Sequence, residues 1–334
     1  MKSSIRLLLA AALAVAPVFS SLAADAKRVL VVTTTTGFRH SSIPYAEKTI
    51  QKLGEESGLF TVVDFARQPD IQVPRKPNKP RDLPPNADDK MKAAYENAVK
   101  KYEAELAKWT PEMEAQAKDA QAKLDAGIKQ SLEKVSPENL IKNKIDLVIF
   151  ANTTGDLPLP DKDGFIKWIE DGHAFAAMHS GSDTFHHFPG YIEMLGGEFE
   201  THHAQVPADL VAADTAHPAN AGLGSKWDLK QEEMYHIKSQ DRAKVHILWY
   251  LQHDPNETAT QVFFPVSWCR MAGKGRVFYT SLGHREDLWS DDPNLPNRVN
   301  SPEISKQYQA HILGGIKWAL GMANGNATPN PEVK

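Results

Sequence analysis
Residues 173–185 read HAFAAMHSGSDTF, and the fold class follows from how that segment breaks. An apolar run over 174–178 stops abruptly at His179, Ser180, Gly181 and Ser182. A short run with no polar alternation, ended by Gly and Ser, reads as a strand buried on both faces. The step into Ser-Gly-Ser resembles the strand-to-turn elbow on which some α/β enzymes expose a reactive side chain. Here the elbow carries a histidine, which titrates near neutrality, shuttles protons and ligates metals through a neutral ring nitrogen. A backbone hydrogen bond at a strand end accounts for a lone histidine equally well, so the weight falls on the other strand ends.

Working outward, residues 145–151 (IDLVIFA) form a second buried strand, followed by the turn-rich NTTGDLPLP and a helix over 162–171 closed by Gly172. Residues 28–34 (RVLVVTT) open the fold as a β-branched strand. Ser41, Ser42 and Pro44 start a helix reaching about Leu53, and FTVVDF at 60–65 is the next strand. Strand, helix, strand with short links is a βαβ unit, so the expected class is α/β: a doubly wound, mostly parallel sheet with helices on both faces. Past the elbow, the sequence predicts a short helix at 191–195, strands at 206–212 and 245–251, and a hairpin of 265–270 with 275–282. A last helix covers 309–320, and the polar residues 322–334 read as a loose tail.

Residues 68–137 break this rhythm. PRKPNKPRDLPP is an extended, proline-rich spacer. Beyond it, Met91, Tyr95, Val99, Tyr102, Leu106 and Trp109 recur at helical spacing, and Thr110-Pro111 begins a second helix with Met113, Ala120, Leu124, Ile128 and Leu132 on its stripe. The reading is a helical hairpin inserted into a domain spanning 27–321. Its stripes pack on each other and on the domain, or offer a surface to a protein partner.

Residues 1–23 carry Lys2 and Arg6 before an apolar run and the small-residue end Ser21-Leu22-Ala23, the pattern of a secretory signal peptide. Export, with the periplasm as the expected destination, follows from it. No later segment is apolar enough to span a membrane. Cys269 is the single cysteine, so no intramolecular disulfide forms. A net charge of -4 argues against nucleic acid as a partner.

In an open parallel sheet, ligands bind beyond the carboxyl ends of the strands. Here those ends carry TTGFRH with His40, MHSGSD with His179 and Asp183, and SLGHRE with His284 and Glu286, while GGEFETHH adds His202 and His203. Two chemistries suit such a rim. One is a bound divalent metal such as zinc, with His40, His179, His202 and His284 as candidate ligands, although no HExxH is present. The other is metal-free proton transfer at a sugar hydroxyl or beside a carbonyl, with Asp183, Glu233 or Glu286 as partner. Phe38, Arg39, His40, Ser180 and Trp289 are the candidate substrate contacts, Trp289 by stacking on a sugar ring. Neighbouring residues of an extended segment face opposite ways, so His186-His187 and His202-His203 contribute at most one ring each. His217 in its His-Pro turn reads as structural, and His246 as a histidine without clustered partners.

Several segments carry a family resemblance: GFRHSSI at 37–43, NTTG at 152–155, AAMHSGSDTF at 176–185, LGGEFETH at 195–202, AHP at 216–218 and GKGRVFYTSLGH at 273–284. In these the chain resembles the ThuA-like, trehalose-utilisation family, with a flavodoxin-like fold of the class I glutamine amidotransferase type. The resemblance implies that His179 stands where an amidotransferase has its nucleophilic cysteine, and His284 near that enzyme's histidine and glutamate. Glutamine hydrolysis is therefore not expected. It implies instead a small-molecule sugar substrate, a disaccharide or keto-sugar processed as by a keto-glycoside hydrolase or isomerase. A non-catalytic carbohydrate-binding or scaffold protein is the alternative. The chain departs from the family in its EEMY at 232–235 and in the helical insertion.

Overall fold
In the computed structural model, which describes residues 26–257 and 263–333, KRVLVV forms the strand β1 (Lys27–Val32). Its side chains divide between two apolar layers, Val29 and Val31 in one, Leu30 and Val32 in the other. The chain continues through α1 (Ile43–Ser57), β2 (Phe60–Ala66), α2 (Asp89–Leu106), α3 (Pro111–Leu132), α4 (Pro137–Lys142) and β3 (Leu147–Ala151). Then come α5 (Lys162–Glu170), β4 (Ala174–Met178), α6 (Pro189–Leu195), β5 (Glu198–His202), β6 (Val206–Ala212), β7 (Lys226–Glu232) and β8 (Tyr235–Lys238). The order ends with β9 (His246–Leu251), β10 (Phe264–Ala272), β11 (Gly275–Thr280), α7 (Glu286–Trp289) and α8 (Pro302–Ala319). The leader expected over residues 1–23 lies outside the described residues.

One nine-stranded sheet runs β2-β1-β3-β4-β11-β10-β9-β6-β7. Its first five strands are mutually parallel, and every pairing from β11 onward is antiparallel. The architecture is thus mixed α/β, with a parallel half and an antiparallel half. The parallel expectation holds for five of the nine strands, and the hairpin read at 265–270 with 275–282 opens the antiparallel half. The tight link at Gly273-Lys274 joins β10 to β11 directly, and a link that short permits only antiparallel pairing. A separate two-stranded sheet, β5 with β8, lies beside the turn after β4.

Both faces are covered. The layer containing Ile50, Leu53, Tyr308 and Ile312 packs α1 and α8 on one side. The layer containing Phe165, Trp168, Tyr191 and Leu195 packs α5 and α6 on the other. β4 serves both, with Ala174, Ala176 and Met178 facing one way and Phe175 and Ala177 the other, which is why its sequence shows no polar alternation.

The insertion forms two helices, α2 and α3. Only Ile128 and Leu132, at the end of α3, are fully buried, while α2 buries none of its residues. The proline-rich spacer runs back along the pair. Lys76 reaches Glu114 at 3.9 Å, Tyr95 donates to Asp82 at 3.4 Å, and a Cβ on Gly127 would meet Pro69 at 2.6 Å. No described helix is long and apolar enough to cross a membrane.

The tail corrects its expectation as loose. Asn330 is buried and brackets Ile247 with two bonds, accepting from its N–H at 2.7 Å and donating to its carbonyl at 3.0 Å. Val333 packs against the second apolar layer. Asn330 thereby pairs the start of β9, which β6 does not reach.

Candidate active site
The loops leaving β1, β3 and β4 stay stitched beyond the strands. Thr36 N–H donates to Thr154 O at 3.0 Å, and Gly155 N–H to Asp183 O at 2.8 Å. Gly155 adopts φ +77, and a Cβ there would meet the Gly37 nitrogen at 2.9 Å, so the rim closes only with glycine at 155. His179 itself has φ +49. For a residue with a Cβ this conformation costs about 1–3 kcal/mol and persists only where its surroundings enforce it. Buried tyrosines do so: Tyr279 donates to the His179 carbonyl at 2.8 Å and Tyr191 to that of Gly181 at 2.7 Å. The elbow read from the sequence is therefore a strained turn fastened from below.

That turn aims His179 at the rim. Its Nδ1–H donates to Ser281 O at 2.8 Å, and a carbonyl only accepts, so Nε2 carries the lone pair. Tyr235 O–H donates to that Nε2 at 2.8 Å. His40 Nε2 lies 3.2 Å from it and His284 Nδ1 3.3 Å. Glu233 Oε2 stands 3.1 Å from His284 Nδ1 and 3.6 Å from His179 Nε2. One donor atom from each of His40, His179, Glu233 and His284 thus falls within 4.8 Å of the others, a set able to hold a metal ion. His179, His40 and Glu233 are buried, and His284 is half-buried.

Electrostatics differ among the three rings. Burial, reinforced by His284 and His202, holds His40 down to about 3. Burial with His40 and His284 beside it pushes His179 well below the usual range. His284 goes the other way. Burial opposes its protonation, but the hydrogen bond to Glu233 and the charges of Glu232, Glu233 and Glu286 outweigh that and raise it. The site pairs two imidazoles whose burial favours the neutral form with one whose bond to Glu233 favours the protonated form, an arrangement suited to giving and taking protons.

Of the remaining sequence candidates, Ser180 is buried with Oγ 3.3 Å from His40 Nδ1. His202 meets the second oxygen of Glu233 at 3.0 Å. Phe38 is 66% exposed and sets its ring edge-on to His40, so it stands at the mouth. Glu286 accepts a hydrogen bond from Ser41 on the rim. Arg39 turns back to the Thr33 carbonyl at 3.0 Å.

Two further candidates are not brought together with the cluster. Trp289 is fully buried and donates to Gly283 O at 2.8 Å, so its ring is closed to a sugar; it is a core residue beneath His284. Asp183 orients an imidazole, but that of His186, at 2.6 Å. In a 3₁₀ turn of three residues per revolution, the fourth residue after His179 points about a third of a turn away. His186 in turn meets Glu198 at 2.9 Å; burial lowers its affinity for a proton, but bonds to Asp183 and Glu198 raise it overall.

Two residues escaped the sequence reading. Tyr235 sits in β8 opposite His202, a strand the sequence did not reveal. Glu232 is fully buried; Oε1 accepts from the N–H groups of Gly283 at 3.3 Å and His284 at 2.7 Å, and burial raises its carboxyl to about 7. The EE pair at a strand end was the available signal, since alternation sends one carboxylate inward and the other toward the histidines.

A family model described as ThuA, trehalose utilisation, matches residues 92–319. That region holds His179, Glu233 and His284, while the segment with His40 precedes it. Among solved structures, the chain is similar to a ThuA-like protein from Parabacteroides merdae, with 16% identity, a TM-score of 0.57, and 90% of this chain and 93% of that one covered. It is also similar to a ThuA-like protein from Bacteroides uniformis, with 16% identity, a TM-score of 0.53, and 90% and 95% covered. At such identity the likeness concerns the fold. No curated protein is significantly similar to the chain.

Proposed function
Because the chain belongs to the ThuA family, whose description is trehalose utilisation, we propose that it is an enzyme of carbohydrate metabolism acting on a disaccharide or keto-sugar. The observation that carries this reading is the meeting of His40, His179, Glu233 and His284 in one buried cluster, with exposed Phe38 at its mouth. His179 Nε2, neutral and freed by its fixed tautomer, takes a proton from a sugar hydroxyl or from a carbon beside a carbonyl. His284, protonated against Glu233, returns one to the departing or rearranging oxygen. Each such transfer contributes roughly 10²- to 10⁴-fold to rate. The strand order β2-β1-β3-β4 supports a flavodoxin-like winding of the parallel half, with an imidazole where a related amidotransferase would place its nucleophile. Export to the periplasm and a partner for the exposed helical hairpin belong to the same proposal.

The absence of a thiol at the elbow favours a second reading, a carbohydrate-binding or scaffold protein on the same fold. Incubation with a 3-keto-disaccharide, followed by mass spectrometry and NMR of the sugar, separates the two. Product formed in proportion to protein supports the enzyme. Binding with the sugar recovered unchanged sinks it.

A further inference from the structure
The cluster has the geometry of a cation site. Ligands about 2.05 Å from a tetrahedral ion lie roughly 3.3 Å from one another. The four measured separations among the donors are 3.2, 3.3, 3.1 and 3.6 Å, and every pair is within 4.8 Å. A hydrogen-bonded group needs hydrogens between its atoms, yet His179 Nε2, whose ring proton is committed to Ser281, has three of these atoms turned toward its lone pair. The groups behind the donors are those that a ligand requires. Ser281 O holds the His179 tautomer, Ser180 Oγ lies against the far nitrogen of His40, and His202 occupies the oxygen of Glu233 that faces away. Outer partners of this kind fix ring orientation and ligand basicity.

We propose that His40 Nε2, His179 Nε2, His284 Nδ1 and Glu233 Oε2 bind one divalent transition-metal ion, with zinc the best match. Three imidazoles with a carboxylate suit zinc and its neighbours, whereas magnesium and calcium prefer all-oxygen sites. The single negative charge of Glu233 leaves the bound site net positive; four protein ligands fill a tetrahedral sphere, so a substrate oxygen enters only by expanding it to five-coordinate. His202 is an orienting residue, not a ligand. Tyr235 O–H, which spends its hydrogen on His179 Nε2 here, becomes the donor nearest to whatever else the ion binds. In the loaded site His179 Nε2 and His284 Nδ1 give their lone pairs to the ion and no longer move protons, so the inference keeps the sugar substrate of the proposed function and replaces its proton-transfer step.

The test uses the full mature protein purified without a tag, stripped with chelator, and titrated with zinc by calorimetry with elemental analysis of the product. One zinc per chain is expected, with a raised thermal midpoint. His179→Ala and Glu233→Gln should lose stoichiometric uptake while the midpoint of the metal-free form is kept; Glu233→Gln, the gentler change, decides the matter if His179→Ala fails to fold. His202→Ala should weaken binding by roughly tenfold without changing stoichiometry. No stoichiometric uptake of zinc, manganese, iron(II) or nickel, or uptake unchanged in Glu233→Gln, overturns the inference. Protein that binds no cation yet transforms the sugar overturns it and leaves the enzymatic reading standing. Stoichiometric uptake by protein that transforms no sugar sustains it and removes that reading.

Discussion

Two of the histidine groupings among the described residues are built on opposite plans. At the elbow, nitrogens of His40, His179 and His284 turn toward one another around a shared space. Across β9 and β10, His217 and His246 lie with ring centroids 6.2 Å apart, and each ring is occupied. His217 Nδ1 accepts from the Ala219 N–H at 3.2 Å while Nε2 faces Cys269 Sγ at 3.6 Å. His246 Nδ1 donates to Thr328 O at 2.6 Å, and Nε2 meets Asp214 at 3.0 Å. The reading of His246 as unclustered was wrong, because its partners come from a loop and from the tail. Both clusters are largely buried, so burial does not tell them apart. What distinguishes the elbow cluster is that each ring turns a nitrogen toward another ring, whereas the nitrogens of His217 and His246 turn to backbone and to other side chains.

The largest expected contrast is in turnover. His284→Ala should lower turnover of a keto-disaccharide by roughly 10²- to 10⁴-fold with the thermal midpoint little changed. His246→Ala should leave turnover per folded molecule intact and lower stability by about 1–3 kcal/mol, seen in urea denaturation, because it strands Asp214 and Thr328. Equal loss of activity in both would erase the distinction.

Deleting residues 326–334 is the next test. It removes the bonds to His246 and Ile247, each worth about 1 kcal/mol, and uncovers Cys269, whose thiol burial pushes far up. Native full-length protein should react slowly with a thiol reagent and the truncated form quickly. Equal rates would show that the tail covers nothing.

Acidity sharpens the structural half of the comparison. Burial, with His246 nearby, holds His217 at about 4, and burial holds His311 at about 4 against its bond to the Ala219 carbonyl. Between pH 6.5 and about 4 the unfolded chain takes up protons that the folded one refuses. Stability from these two rings is therefore full above about pH 6.5 and is lost as pH falls toward 4, by a few kcal/mol. Urea midpoints across that window should decline, and His217→Gln should flatten the slope. A smaller effect belongs to Tyr235→Phe, which removes the donor to His179 and should cost about tenfold in turnover, equivalent to about 1.4 kcal/mol.

Much of this was legible in the sequence, for physical reasons. The run AFAAM declared a strand covered on both faces, and a histidine followed by Ser-Gly-Ser declared the elbow. Three of the four clustered residues sit just beyond strands that end at one rim, and Glu233 was reachable as half of the EE pair. What stayed hidden depends on contacts between distant segments. Trp289 looks the same in sequence whether it faces a sugar or Gly283. Asp183 required the pitch of a turn to be known before its partner could be chosen. Tyr235 and the pairing of β5 with β8 required knowledge of which strands leave the main sheet. The start of α8 was missed although Ser301-Pro302 is a helix entry and Ile304 and Tyr308 stand at i, i+4 on one face.

The central claim is that imidazoles from distant segments serve one ligand. It is tested most directly by titrating ¹⁵N-histidine-labelled protein with a 3-keto-disaccharide and following the ring nitrogens by NMR. The signals of His40, His179 and His284 should shift together along a single saturation curve, while those of His217 and His246 stay in place. Three unmoved signals at saturation, or shifts that follow separate curves, would contradict it.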